Sequence, residues 1–107
     1  MTHRVKAHKE FLRALHCLKP KYRKVLLGAC NKEEIDCICE CIYNVLKGKI
    51  PLQDEHKNKL DKYKNVLRKL VSKTKNKARK NIIIQKGGTF LPIILSTVLG
   101  ALFNSLI

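Results

Sequence analysis

No residue after Lys86 carries a charge, while the thirty residues that end at Lys86 are crowded with lysine and arginine. A 107-residue chain that closes on GGTFLPIILSTVLGALFNSLI must keep that run out of water. Three placements are open. Residues 89–107 are 19 uncharged residues, and a membrane-spanning helix needs about 20, with basic residues flanking it on the cytoplasmic side. Thr97, Gly100 and Asn104 give the run a polar edge, which suits a helix lying in an interface or packed on protein. As a third option, the run completes a core built by the rest of the chain. Gly87-Gly88 reads as a flexible break. Ile82-Ile83-Ile84, β-branched throughout, reads as extended, and Pro92 suits the first turn of a last helix.

Upstream, the apolar residues recur at helical spacing. Val5, Phe11, Leu12, Leu15 and Leu18 share one face of a segment over 4–18. Pro20 ends that element or opens the next, in which Tyr22, Val25, Leu26 and Ala29 keep the period. Gly28 implies that this helix is short or closely approached by a neighbour. Asn31 with Glu34 three residues on reads as a capping box, and Gly48 as the glycine that ends that helix. Gln53 or Asp54 begins another helix with Leu60, Tyr63, Leu67 and Leu70 on its apolar stripe. The segment KTKNKARKN has no apolar face. The expected fold is therefore all-α: a small bundle of about four helices over 1–73, a basic linker with Gly-Gly over 74–88, and a separate apolar helix over 89–107.

The formal charge is +15, from 23 Lys/Arg against 8 Asp/Glu. Such a chain repels itself and favours an anionic partner. Residues 57–86 hold twelve Lys/Arg and one acid, Asp61. This run is rich in lysine and shows no base-reading pattern, and the chain has no Trp and only six Phe and Tyr. It suits phosphates without sequence preference rather than stacking on bases. The expected nucleic-acid-binding residues are Lys57, Lys59, Lys62, Lys64, Arg68, Lys69, Lys73, Lys75, Lys77, Arg79 and Lys80. A second basic group runs from Arg4 through Lys6, Lys9, Arg13, Lys19, Lys21, Arg23 and Lys24. An anionic membrane surface would attract the same charges.

Five cysteines, Cys17, Cys30, Cys37, Cys39 and Cys41, are an odd number, and no secretory signal opens the sequence. Free thiols in a reducing compartment are expected. The spacing in CICEC is not that of a zinc ribbon. A metal set drawn from Cys17, Cys30, Cys41 and His16 or His56 competes with cysteines that act as small buried apolar residues, and the latter reading is preferred. Glu33, Glu34 and Asp36 cluster where a helix start explains them. No nucleophile elbow, phosphate loop or catalytic metal motif is present. No enzyme activity and no cofactor are expected.

The stretch QKGGTFLPIILSTVLGALF resembles the C-terminal part of adenovirus core protein X precursors, where a basic run meets Gly-Gly and then an apolar stretch. Across most of its length the chain resembles short basic proteins of Maverick/Polinton elements and adintoviruses, through ICECIYNVLKGKIPL at 38–52 and YKNVLRKL at 63–70. The resemblance implies a virion core or minor capsid protein that binds packaged double-stranded DNA and is present in the host nucleus during assembly. It also implies capsid proteins as partners, and an adenovirus-type cysteine protease cutting after Gly88 in the pair Gly87-Gly88. The apolar segment would then attach to capsid or membrane. The alternative is a tail-anchored or membrane-active protein with a basic cytosolic domain.

Overall fold

The computed structural model describes residues 3–72 and 76–104. Among these residues there are seven helices and no strand: α1 (His3–Ala7), α2 (Lys9–Cys17), α3 (Pro20–Ala29), α4 (Lys32–Leu46), α5 (Asp54–Asp61), α6 (Lys64–Ser72) and α7 (Asn76–Asn104). The all-α class expected from periodicity holds. The helix expected over 4–18 is interrupted at His8, and the one expected from 53 to 72 breaks at Lys62-Tyr63.

The signals at the ends of α4 act as the sequence implies. Asn31 accepts from the Glu34 backbone N–H while Glu34 accepts from the Asn31 N–H, both at 2.9 Å. At the other end Gly48 has a φ of +70°, a backbone region that penalises any side chain. Gly48 N–H bonds Val45 O at 3.1 Å and Lys49 N–H bonds Asn44 O at 3.0 Å, which satisfies two of the carbonyls a helix leaves orphaned. In α3, Gly28 has nothing within 4 Å of an added Cβ, and the helix stops one residue later. Of the two explanations for this glycine, the short helix is the one observed.

The turn between α2 and α3 is held by Arg23. Its guanidinium is buried and donates to the carbonyls of Leu15 (Nε, 3.0 Å), His16 (3.3 Å) and Leu18 (3.0 Å). A cation at a helix C-terminus meets the negative end of the dipole and the unpaired carbonyls together. This residue is therefore internal and does not belong to the outward basic surface in which the sequence grouped it.

The largest departure from expectation is α7. Ile82-Ile83-Ile84 is helical, the backbone does not break at Gly87-Gly88, and Pro92 lies inside the helix, with no start there. Glycine and an interior proline together weigh against a helix by several kcal/mol, about 3 for the proline alone. Burial outweighs this. Ile83, Phe90, Leu91, Ile94, Leu95 and Val98 are completely buried, and Gly87 lies in the same stripe. At about 1.5–3 kcal/mol for each large apolar side chain, these contacts exceed the intrinsic penalty. The helix packs chiefly on α4, α2 and α3, with α5 and α6 beside it. The core of the body and the apolar run are one cluster. A radius of gyration of 12.7 Å is that of a single compact body of this length. The C-terminal segment, expected to be separate and joined through a linker, is instead the central helix of the bundle over all its described residues.

Candidate nucleic-acid interface

Helices α5 and α6 bury Leu60, Leu67 and Leu70 and turn their remaining faces outward. Because the apolar stripe is narrow, Lys57, Lys59, Lys62, Lys64, Arg68 and Lys69 all stay exposed. Lys59 shares its charge with Glu55 at 3.4 Å across one helical turn, a pairing that is weak in water. Lys77 is exposed at the start of α7. Lys73 and Lys75 lie outside the described residues.

The other two expected contacts are turned to the fold. Arg79 pairs with Asp36 of α4 at 3.3 Å, with both side chains mostly buried. The Lys80 ammonium donates to the carbonyl of Cys30, the C-cap of α3, at 2.9 Å. Both bonds reach across more than forty residues of sequence. That is why a reading of local charge density assigned them to the surface.

One residue that the expected set omitted joins it. Lys86 of α7 and Arg68 and Lys69 of α6 line a groove of about 410 Å³, together with Asn65 and Ser72. The floor is the half-buried Val66 and Ile82. Among the described residues no acidic side chain lines it. Arg68 and Lys69 are adjacent in the sequence, so their clustering was legible there. Lys86 joins them in the groove only because α7 runs unbroken past it and packs beside α6; its signal in the sequence was merely that it is the last charge.

The glycine pair does not form an open peptide. Gly87 is buried, and a Cβ added there would meet Ile83 and Leu91 at 3.5–3.7 Å, ordinary contact. Gly88 is exposed but helical. A protease that binds its substrate as an extended strand would reach this bond only after α7 opens locally.

The cysteines fall into two sets. Cys17 is exposed, whereas Cys30, Cys37, Cys39 and Cys41 are buried, and all five are free. Burial pushes the Cys30 thiol up to about 11, helped by Glu34 and opposed by Lys80. Burial also pushes Cys39 up to about 11, with Arg79 opposing and Asp36 and Cys37 adding to the rise. Cys41 is raised by its hydrogen bond with Cys37 and by burial. Thiols of this kind stay protonated and unreactive near neutrality. Among the described residues no three His, Cys, Asp or Glu side chains gather as a metal-binding group.

By length and composition, Lys77–Phe103 could cross a membrane, with a mean hydropathy of 1.6 in its most apolar window. Half of that window is buried inside the bundle, as expected of the core helix of a folded domain. Comparison with protein-family models, with curated proteins and with solved structures gives no match.

Proposed function

We propose that this protein binds double-stranded DNA through its sugar-phosphate backbone, without sequence preference and without catalysis, as a packaging component of a virion core. The observation that carries the reading is the groove lined by Arg68, Lys69 and Lys86, with no carboxylate among the described residues that line it. Three cations that line one groove repel each other, and a phosphate oxygen bound there relieves that repulsion. The exposed Lys57, Lys59, Lys62, Lys64 and Lys77 extend the positive field beyond the groove. Lysine side chains follow phosphates as point charges and do not discriminate bases. The resemblance to basic adintoviral and Maverick/Polinton proteins supports the virion setting, with capsid proteins as further partners.

Titration of duplexes at a series of salt concentrations tests this. With about 6 phosphates contacted, log affinity should fall against log salt with a slope near −5, and random duplexes of one length should compete equally. A flat salt response would remove the proposal.

A second reading rests on α7, whose length and apolarity suit a membrane, with the exposed lysines favouring an anionic one. It requires the buried Phe90, Leu91, Ile94 and Leu95 to leave the core. Flotation with anionic vesicles, together with loss of the bundle's tertiary signals, would favour it over DNA binding.

A further inference from the structure

Apart from Tyr43 on α4, the large apolar side chains left exposed among the described residues are both on α3: Val25, 72% exposed, and Tyr22, 50% exposed. Val25 occupies the middle of the outward face, because Arg23 and Leu27, two residues to either side, are buried. Its neighbours at helical spacing are Lys21 and Tyr22 on the preceding turn and Gly28 and Ala29 on the next, with Lys24 alongside, all exposed. The face is apolar at its centre and along the edge of Tyr22 and Ala29, and cationic along the edge of Lys21 and Lys24. These two lysines make no ion pair among the described residues, and the sequence holds no acid between Glu10 and Glu33. Beside Val25, Gly28 leaves the surface open, with nothing within 4 Å of an added Cβ. Both ends of α3 are fixed, by Arg23 on the carbonyls that end α2 and by Lys80 on Cys30. A partner therefore meets this face already ordered.

We propose that this face of α3 docks an acidic amphipathic helix of a partner protein. The partner's apolar stripe covers Val25, Tyr22 and Ala29, its backbone comes close over Gly28, and its carboxylates meet Lys21 and Lys24 along the cationic edge. Charge decides the occupant. A second copy of the chain brings a charge of +15 to a face whose own helix has no acid, so like charges would meet. Duplex DNA would satisfy the lysines, but it would set phosphates around Val25 and Tyr22, which gain from leaving water only against an apolar surface. An acidic helix with one apolar stripe supplies both. Contact through a single helix face buries less than about 1,200 Å², the range of transient complexes. No residue of this face lines the α6–α7 groove, so docking and DNA binding stand or fall separately.

The test uses the full chain and a labelled synthetic helical peptide with one Leu stripe and Glu on its other faces. Affinity is read by fluorescence anisotropy, and contact by NMR at the Val25 methyls. A saturable shift of those methyls is expected, and a peptide of the same composition in scrambled order should bind at least tenfold more weakly. Val25→Gln keeps the charge and places a good helix former at an exposed site. It should weaken binding at least tenfold while leaving the melt and the salt slope of DNA binding unchanged. Lys21→Gln/Lys24→Gln should weaken binding as much. Lys6→Gln/Lys49→Gln removes two exposed lysines at the α4–α7 end and should leave it within twofold. Unmoved Val25 methyls, or full affinity in Val25→Gln, would overturn the proposal by leaving the apolar centre without a role. Equal binding of the scrambled peptide, or equal weakening by the two lysine pairs, would overturn it as adsorption to a cationic chain. Displacement of the peptide by phosphatidylserine vesicles, with flotation lost in Val25→Gln, would give the face to a membrane instead. Sedimentation of the chain alone as a dimer that Val25→Gln dissociates would give it to a second copy.

Discussion

The ammonium of Lys80 donates to the carbonyl oxygen of Cys30 across 2.9 Å, tying α7 to the end of α3 over 50 residues of sequence. Its neighbour Arg79 pairs with Asp36 one helix further on. These two cations are therefore part of the fold, and the structure separates them from the outward-facing lysines. Replacing Arg79 and Lys80 with Ala should lower stability, by about 1–3 kcal/mol for each bond to a charged group. It should leave the salt dependence of DNA binding unchanged. Replacing Arg68, Lys69 and Lys86 should do the reverse: the salt slope becomes shallower by about 2.7, or about 0.9 per lost phosphate contact, with little change in the melt. Measuring both variants by denaturation and by salt titration checks the separation.

Arg23 provides a second check on internal cations. Its three carbonyl partners close the α2–α3 turn. Arg23→Ala should cost about 2–4 kcal/mol, because it leaves buried carbonyls without donors. Arg23→Lys should recover only part of this, since one ammonium cannot reproduce the guanidinium fork. Urea midpoints of the two variants give the comparison.

Gly88 tests whether the helix is continuous. An added Cβ there meets nothing within 4 Å, and the residue is exposed in mid-helix. Gly88→Ala should therefore stabilise the protein by about 0.5–1 kcal/mol, by restricting the unfolded chain and favouring helix. A hinge at this position would give no gain in the thermal melt.

A fragment ending at residue 88 should not fold. It lacks Phe90, Leu91, Ile94, Leu95 and Val98, all fully buried. At about 1.5–3 kcal/mol each, their loss is comparable to the whole stability of a small domain, about 5–15 kcal/mol. Circular dichroism of the fragment should show little helix and no cooperative melt.

The raised thiols set an alkaline limit. Cys30 and Cys39 ionise near 11 in the folded chain against an ordinary 9.0. Above pH 9 the unfolded state releases these protons while the folded state keeps them. Stability contributed by the neutral thiols is thus full below about pH 9 and lost as pH rises towards about 11. Cys39→Val should flatten that decline relative to the parent protein in melts between pH 8 and 11. At pH 7.5 a thiol reagent should label Cys17 rapidly and the buried four only on unfolding.

What the sequence determined by itself was local. Spacing of Leu, Ile and Val fixed the helical class, the Asn31–Glu34 pair and Gly48 fixed both ends of α4, and the charge count singled out an outward cationic face. These are properties of neighbours within a turn or two, so periodicity and capping chemistry report them directly. Tertiary structure decided the rest. It carried α7 through two glycines and a proline, because burying Phe90, Leu91, Ile94 and Leu95 outweighs their intrinsic preferences. It drew Arg23, Arg79 and Lys80 inward to carbonyls and a carboxylate that local charge density cannot reveal. It also brought Lys86 beside Arg68 and Lys69, completing a groove whose members are adjacent only in the folded chain.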